Sequence, residues 1–329
     1  MQDDLDWAVL LAGQIRTFEE HIQREALRAA LMRSRYSFFA HLSPEHSYAP
    51  WHRVPVLSSG GAHQAVNAIR AMFLPRYLAL QSDDEVMAGS HWVGPVDGDP
   101  RLQSVLMLRW FLLLDAVESD ERASGARFRR VLRLRPDAML GCDLPRSPLT
   151  PFAAWRASDF LLLADRDAAN VALSAYLLAN TSATCRFKVE LCVPSLLIER
   201  NFTVGELQAR GARSAAILVR PAAVCNFSTA AAHGPARNLG CGRREREQLA
   251  QRKFVRPPCQ ATVPWKRSLG VAFHCARFRH RCASLMASLA LGPANYTIDK
   301  QEGADILEGN MSLNAMQELA SHFDQAGSV

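Results

Sequence analysis

The strongest constraint on the fold is an alternation. Short apolar runs, WAVLLAG (7–13), YSFFAHLS (36–43), RVLRLR (130–135) and DFLLLADRD (159–167), are separated by longer stretches with helical spacing. Strands that alternate with helices predict an α/β domain whose mostly parallel central sheet carries helices on both faces. The first helix follows the turn at Gly13; Thr17 and Glu20 form a capping-box pair, and Phe18, Ile22 and Leu27 give it an apolar side. AHQAVNAIRAMFL (62–74) and VELCVPSLLIERNF (189–202) read as further helices. PRLQSVLMLRWFLLLDAVESDE (100–121) is a long helix, apolar nearly all round its middle and therefore largely buried. The Pro-, Ser- and Gly-rich segment 44–61 is expected to be loop. The pattern dissolves beyond about residue 230, leaving a closing helix at SLNAMQELASHF (312–323). An α/β domain over 1–235 and an irregular, Cys-bearing extension over 236–329 follow from this change.

Charge sharpens the division. Between Arg237 and Cys282 ten Arg and two Lys face Glu245 and Glu247, a local excess of 12 − 2 = +10. The rest of the chain carries 38 − 12 = 26 basic and 32 − 2 = 30 acidic residues, a net of −4. A solvated face or a patch for an acidic substrate or phospholipid surface fits this local basicity. No nucleic-acid motif accompanies it, so a nucleic-acid partner is not expected.

All eight cysteines (142, 185, 192, 225, 241, 259, 275 and 282) lie beyond residue 141, and the first 141 residues have none. An even set of this kind fits disulfides in an oxidising compartment. The cluster HCARFRHRC (274–282) could offer His274, Cys275, His280 and Cys282 to zinc, but its spacing matches no standard finger or ribbon. Asn180, Asn201, Asn226, Asn295 and Asn310 head N-x-[ST] triplets, five of nine asparagines. Chance predicts roughly one such triplet. Cysteines and triplets together point to the lumen of the Golgi or endoplasmic reticulum, with a cytoplasmic life as the alternative. The opening MQDDLDWAVLLAG lacks a basic n-region and a cleavage site, so lumenal entry requires an anchor or leader upstream of it. The longest uncharged run, 168–185, carries Asn and hydroxyl residues and reads as buried helix and loop instead of a membrane span.

Chemistry is expected at the carboxyl ends of the strands, where open parallel sheets bind ligands. Gln14 and Arg16 follow the first strand and precede a helix N-terminus, a place suited to phosphate. His41 and Ser43 end the second strand and would line the substrate pocket. In the central strand Arg133 and Arg135 share a face with Val131, while Leu132 and Leu134 point the other way. A buried arginine needs a partner, either a structural carboxylate or a ligand's phosphates. Pro136 stops the strand and leaves Asp137 at its end, within reach of a metal or a sugar hydroxyl.

The segments VLLAGQIRTF, FFAHLS, the helix with Gln103 and Trp110, FRRVLRLRPDAML, LADRDAA and VELCVPSLLIERNF occur in the order found in certain glycosyltransferase-like proteins. Over roughly residues 7–210 the chain resembles that poorly characterised branch, which opens with a G-Q-x-R turn and carries an R-x-R-P-D strand. The resemblance implies a nucleotide-sugar transferase core of the A-type fold. Gly13, Gln14, Arg16, Arg133, Arg135 and Asp137 would then bind a nucleotide-sugar donor, and a glycan or glycoconjugate would be the acceptor. It also implies a divalent ion, Mn2+ or Mg2+, at an acidic D-x-D motif where Asp137 stands as metal ligand. The chain departs from that pattern, because Arg135 occupies the place of the first acid and Asp143 is too far on to replace it. Arg16, Arg133 and Arg135 could neutralise the leaving diphosphate instead. For the base that deprotonates the acceptor hydroxyl, Glu190 at the start of the later helix matches the family's acidic position, with Asp165 second.

Two other classes compete with a transferase. A non-catalytic glycan- or nucleotide-binding protein on the same fold accounts for the missing D-x-D motif. A P-loop phosphotransferase or sulfotransferase shares the anion-binding first turn, but LAGQIRTF lacks G-x-x-x-x-G-K-[ST].

Overall fold

The computed structural model describes residues 5–15, 21–44, 59–88, 100–145, 148–157, 161–178, 189–207, 216–218 and 261–264. In chain order the elements are β1 (Leu5–Gln14), α1 (His21–Leu31), β2 (Tyr36–Ser43), α2 (Ser59–Phe73), β3 (Tyr77–Leu80) and α3 (Asp83–Met87). They continue with α4 (Pro100–Ser124), β4 (Phe128–Leu134), β5 (Ala138–Leu140), β6 (Ala154–Ala157), β7 (Leu161–Asp165) and α5 (Arg166–Leu173). The remainder are α6 (Ala175–Leu178), α7 (Val189–Glu199), β8 (Val204–Leu207), β9 (Ala216–Leu218) and β10 (Ala261–Pro264).

One sheet organises them, in the order β10-β8-β6-β7-β4-β1-β2-β3, and a small ribbon pairs β5 with β9. The half from β3 to β4 is wholly parallel. The other half is mixed: β7 runs antiparallel to β4 and to β6, β8 returns parallel to β6, and β10 closes the edge antiparallel to β8. Six strands therefore share one direction, and β7 and β10 oppose them. The reversal at β7 follows from chain length, since only residues 158–160 separate β6 from β7 and so short a link can join only antiparallel neighbours. The last strand of the sheet comes from beyond residue 235, inside the segment expected to be an extension.

Helices cover both faces. Trp7, Val9 and Leu11 of β1 pack with Leu27 and Leu31 of α1 and with Ala65, Ile69 and Phe73 of α2. Ala8, Leu10 and Ala12 pack on the opposite side against Met107, Trp110 and Leu113 of α4, joined by α5, α6 and α7. This alternation is the two-residue period of a strand buried on both sides. Phe38 stacks on Phe73 at 4.6 Å in the first layer, and Phe39 meets Phe128 edge-on at 5.8 Å in the second.

The long helix has chemical start and stop signals. Pro100 stands at its first position, where a missing N–H costs nothing. Gly125 ends it at φ +68, and its N–H donates to the carbonyl of Glu121 at 2.9 Å. Expected and observed bounds agree closely for this helix and for β2, whereas α2 starts at Ser59, inside the expected loop. The capping pair at Thr17 and Glu20 and the closing helix at 312–323 lie outside the described residues. No helix among the described residues is long and apolar enough to cross a membrane.

Candidate functional site

β1 has parallel neighbours on both sides, so the chain leaves its carboxyl end toward β2 and leaves that of β4 in the opposite direction. Such a switch point opens a crevice beyond the strand ends, where α/β sheets bind ligands. The two strand ends are in close contact. Gly13 takes φ +122, and a Cβ placed on it would lie 3.6 Å from Cδ of Pro136 and 3.8 Å from Leu106. From α1, the buried amide of Gln23 donates its Nε2 hydrogen to the carbonyl of Pro136. The Oε1 of Gln23 has no hydrogen-bond partner among the described residues. The turn after the first strand and the R-P-D turn after the fourth thus form one continuous rim.

Arg135 and Asp137 make a bidentate pair on that rim. Nε donates to Oδ1 at 2.9 Å and Nη2 to Oδ2 at 2.7 Å. The Asp137 side chain is 2% exposed and that of Arg135 17%, so the guanidinium is the outward member. Arg133, one strand period lower, is buried with its guanidinium 4.2 Å above the Trp110 ring. Its face is the one read from the sequence, because Val131 lies in the α4 layer while Leu132 and Leu134 lie in the α1 layer.

A second polar cluster adjoins the first through Gln14, whose Nε2 donates to Oδ2 of Asp83 at 3.4 Å. Asp83 is buried and accepts from Nη2 of Arg109 at 2.8 Å. Arg109, 1% exposed in mid-helix, also donates to the carbonyls of Leu42 at 3.2 Å and Gln81 at 2.9 Å. These contacts tie α4 to the carboxyl ends of β2 and β3. Ser82 caps α3 by accepting from the Glu85 N–H, and its own N–H donates back to the Glu85 carboxylate.

His41 and Ser43 are both buried at the end of β2. Neither ring nitrogen of His41 makes a well-formed hydrogen bond among the described residues, and the Gln81 side chain is its nearby polar group. Burial lowers the His41 pKa to about 4, the Arg109 cation lowers it further, and the Gln81 side chain opposes them weakly. His41 is therefore a neutral imidazole at physiological pH.

Of the residues singled out in the sequence, Gly13, Gln14, His41, Ser43, Arg135 and Asp137 share the carboxyl edge of the sheet, and Arg133 lies just beneath it. Asp165 does not join them. It pairs in register with Arg130, near the start of β4, because β7 runs the other way. The seven residues from there to Asp137 span roughly 20 Å. At that opposite edge burial raises the Asp165 pKa, Arg130 lowers it and Asp167 raises it. Glu190 falls in the first turn of α7, with its side chain outside the described residues, and Arg16 lies outside them altogether.

Asp83, Arg109 and Gln23 were not picked out from the sequence. One signal was there for Arg109, a lone cation within the apolar run VLMLRWFLLL, since a buried charge of that kind requires a partner. Nothing local marks its partner 26 residues upstream.

No protein-family model, curated protein or solved structure matches the chain. The site must therefore be read from its own geometry. Both Asp137 oxygens accept from the Arg135 guanidinium, whose positive charge opposes a cation at that carboxylate. No group of three His, Cys, Asp or Glu side chains among the described residues could hold a metal ion. The donor set present on this rim is one of guanidinium and amide N–H groups, which suits an anion.

Proposed function

We propose that the protein is a glycosyltransferase that moves a sugar from a nucleoside diphosphate donor to a glycan or glycoconjugate acceptor, on an α/β core of the nucleotide-sugar transferase type. The observation that carries it is the closeness of Gly13 to Pro136, which puts the turn bearing Gln14 beside the turn bearing the Arg135–Asp137 pair at the switch point. The nucleotide would lie across the ends of β1, β2 and β3, beside Gln14, Ser43 and Asp83. The diphosphate would meet Arg135 and, from the turn after β1, Arg16. Arg133 is enclosed against Trp110, so it contributes its positive field instead of a direct contact.

In the reaction the acceptor hydroxyl oxygen bonds to the anomeric carbon as the bond from that carbon to the diphosphate oxygen breaks. The hydroxyl proton passes to a carboxylate, and the nucleoside diphosphate leaves with its charge balanced by guanidinium groups. Glu190 is the proposed base. α7 feeds β8 through the short turn at 200–203, so a helix lying along the sheet carries its first turn back about 16 Å toward the carboxyl edge. Asp165, at the far edge, is set aside for this role. A lumenal location, in Golgi or endoplasmic reticulum, belongs to the same proposal and is supported by the bonded cysteines Cys142 and Cys192.

The occupied carboxylate of Asp137 favours a second reading, a protein that binds a nucleotide or glycan without turnover. Thermal shift with UDP, GDP and their sugars, followed by assay of donor hydrolysis and transfer, separates the two. Stabilisation with turnover, lost in Asp137→Ala, supports a transferase. Stabilisation without turnover supports the binding protein. No response to any donor, with Asp137→Ala behaving like the wild type, overturns both.

A further inference from the structure

We infer that Asn201 is an N-glycosylation site whose glycan projects from the sheet edge opposite the Gln14–Asp137 rim. Asn201 heads the triplet Asn201-Phe202-Thr203 and is the one such asparagine among the described residues; Asn180, Asn226, Asn295 and Asn310 lie outside them. It is exposed, in the turn between α7 and β8, at φ +62. Its N–H donates to the carbonyl of Ile198 and that of Phe202 to the carbonyl of Leu197, both at 2.9 Å, closing the end of the helix. The backbone is thereby fixed while the residue stays exposed. Asparagine tolerates this left-handed backbone better than most residues, so the turn alone could explain its presence. Thr203, two positions on, completes the acceptor triplet while its hydroxyl also accepts from the Ala153 N–H at 3.1 Å and donates to the Pro151 carbonyl at 3.0 Å, so the triplet sits on a turn tied to the sheet edge.

The strand registers locate the turn. Val204 is level with Ala154, Ala154 with Ala164, and Ala164 with Val131. Asn201 precedes that level, on the amino side of the parallel strands, whereas Asp137 follows Val131 by six residues, roughly 20 Å of strand toward the other edge. A bulky glycan on Asn201 leaves the rim open.

Covalent chemistry elsewhere in the core requires the same compartment. Cys142 and Cys192 are both disulfide-bonded, and they belong to core layers on opposite faces of the sheet. Bonds of this kind persist in an oxidising lumen, where asparagine triplets are modified. In the modification the Asn201 amide nitrogen bonds to the anomeric carbon of a lipid-diphosphate-linked oligosaccharide. The carbon–oxygen bond to the diphosphate breaks, the lipid diphosphate leaves, and the amide loses one proton.

The test uses the full chain directed into the secretory pathway of a eukaryotic cell. Purified protein is treated with peptide-N-glycosidase in heavy-oxygen water and mapped by mass spectrometry. The expected result is conversion of Asn201 to a heavy-oxygen-labelled aspartate, with a mobility shift on enzyme treatment. Asn201→Gly preserves the positive φ and removes the acceptor amide, so it is expected to be secreted as a folded protein that lacks one glycan. Thr203→Ser keeps the triplet and should retain the glycan. An unlabelled Asn201 in secreted, folded protein overturns the inference, whether or not the other triplets are occupied. So does an Asn201→Gly variant with unchanged mobility. Neither outcome depends on donor binding or transferase activity.

Discussion

Arg135 clasps Asp137 across a single proline, with both guanidinium edges engaged at 2.9 and 2.7 Å. Pro136 cannot continue the ladder of β4, and the bend it imposes turns the two side chains toward each other. The pair is asymmetric, the carboxylate buried and the guanidinium partly open. Under the proposed function, a diphosphate arriving at the rim would meet the cation and not the acid.

The asymmetry predicts unequal effects of substitution. Arg135→Ala strands a buried carboxylate and is expected to cost about 3 kcal/mol. Asp137→Asn keeps the shape and part of the hydrogen bonding, and is expected to cost about 1 kcal/mol. Urea unfolding monitored by circular dichroism measures both. Equal losses would mean that the pair is solvated and contributes little.

The Asp83–Arg109 pair is more deeply enclosed, with side chains 8% and 1% exposed. Asp83→Ala leaves a guanidinium inside the α4 layer, with an expected loss of about 4 kcal/mol. Arg109→Met should cost less than Asp83→Ala, since methionine fits an apolar helix and the carboxylate it leaves still accepts from Gln14. In the double variant the losses should fall short of their sum by at least about 1 kcal/mol, the signature of direct coupling. Additive losses would show that each side chain acts through other partners.

Gly13 offers a test of the switch point itself. At φ +122 an alanine is strained, while its Cβ would meet Pro136 and Leu106 only at ordinary contact distance. Gly13→Ala is therefore expected to cost about 2 kcal/mol through the backbone and not through a clash. Repacking cannot relieve such strain, so Leu106→Ala added to Gly13→Ala should not restore stability. Recovery in that double variant, measured by thermal unfolding, would place the cost in packing instead.

The fold was legible where one element decides its own structure. β2 buries residues on both faces, and its run YSFFAHLS has no competing pattern. α4 has Pro100 before it and Gly125 behind it. The face of Arg133 followed from strand period alone. What could not be read depends on distant partners. The direction of β7 is set by β6, a four-residue strand with the unremarkable sequence AWRA, and that direction moved Asp165 to the far edge. Asp83 gains meaning only once α4 brings Arg109 to it. The same holds for Arg166, which the sequence shows only as a cation between Asp165 and Asp167. It forms a bidentate pair with Glu121 at 2.9 and 2.8 Å, pinning α5 to the end of α4.

His41 carries the pH dependence that this arrangement predicts. Its folded pKa of about 4 lies below the ordinary 6.5 because burial and the Arg109 cation both disfavour the imidazolium. Above pH 6.5 folded and unfolded chains are both neutral at this position, and it contributes no slope. As pH falls from 6.5 toward 4 the unfolded chain takes up a proton that the folded chain refuses, so stability declines across that window, by roughly 3 kcal/mol at its foot. His41→Leu, close in volume, removes the proton acceptor and two buried ring nitrogens that make no well-formed hydrogen bond among the described residues. Unfolding free energies measured from pH 7 to pH 4 should fall less steeply in the variant than in the wild type, with the variant at least as stable at pH 7. Parallel pH profiles would mean that His41 is protonated in the folded chain, with an acceptor close enough to hold it.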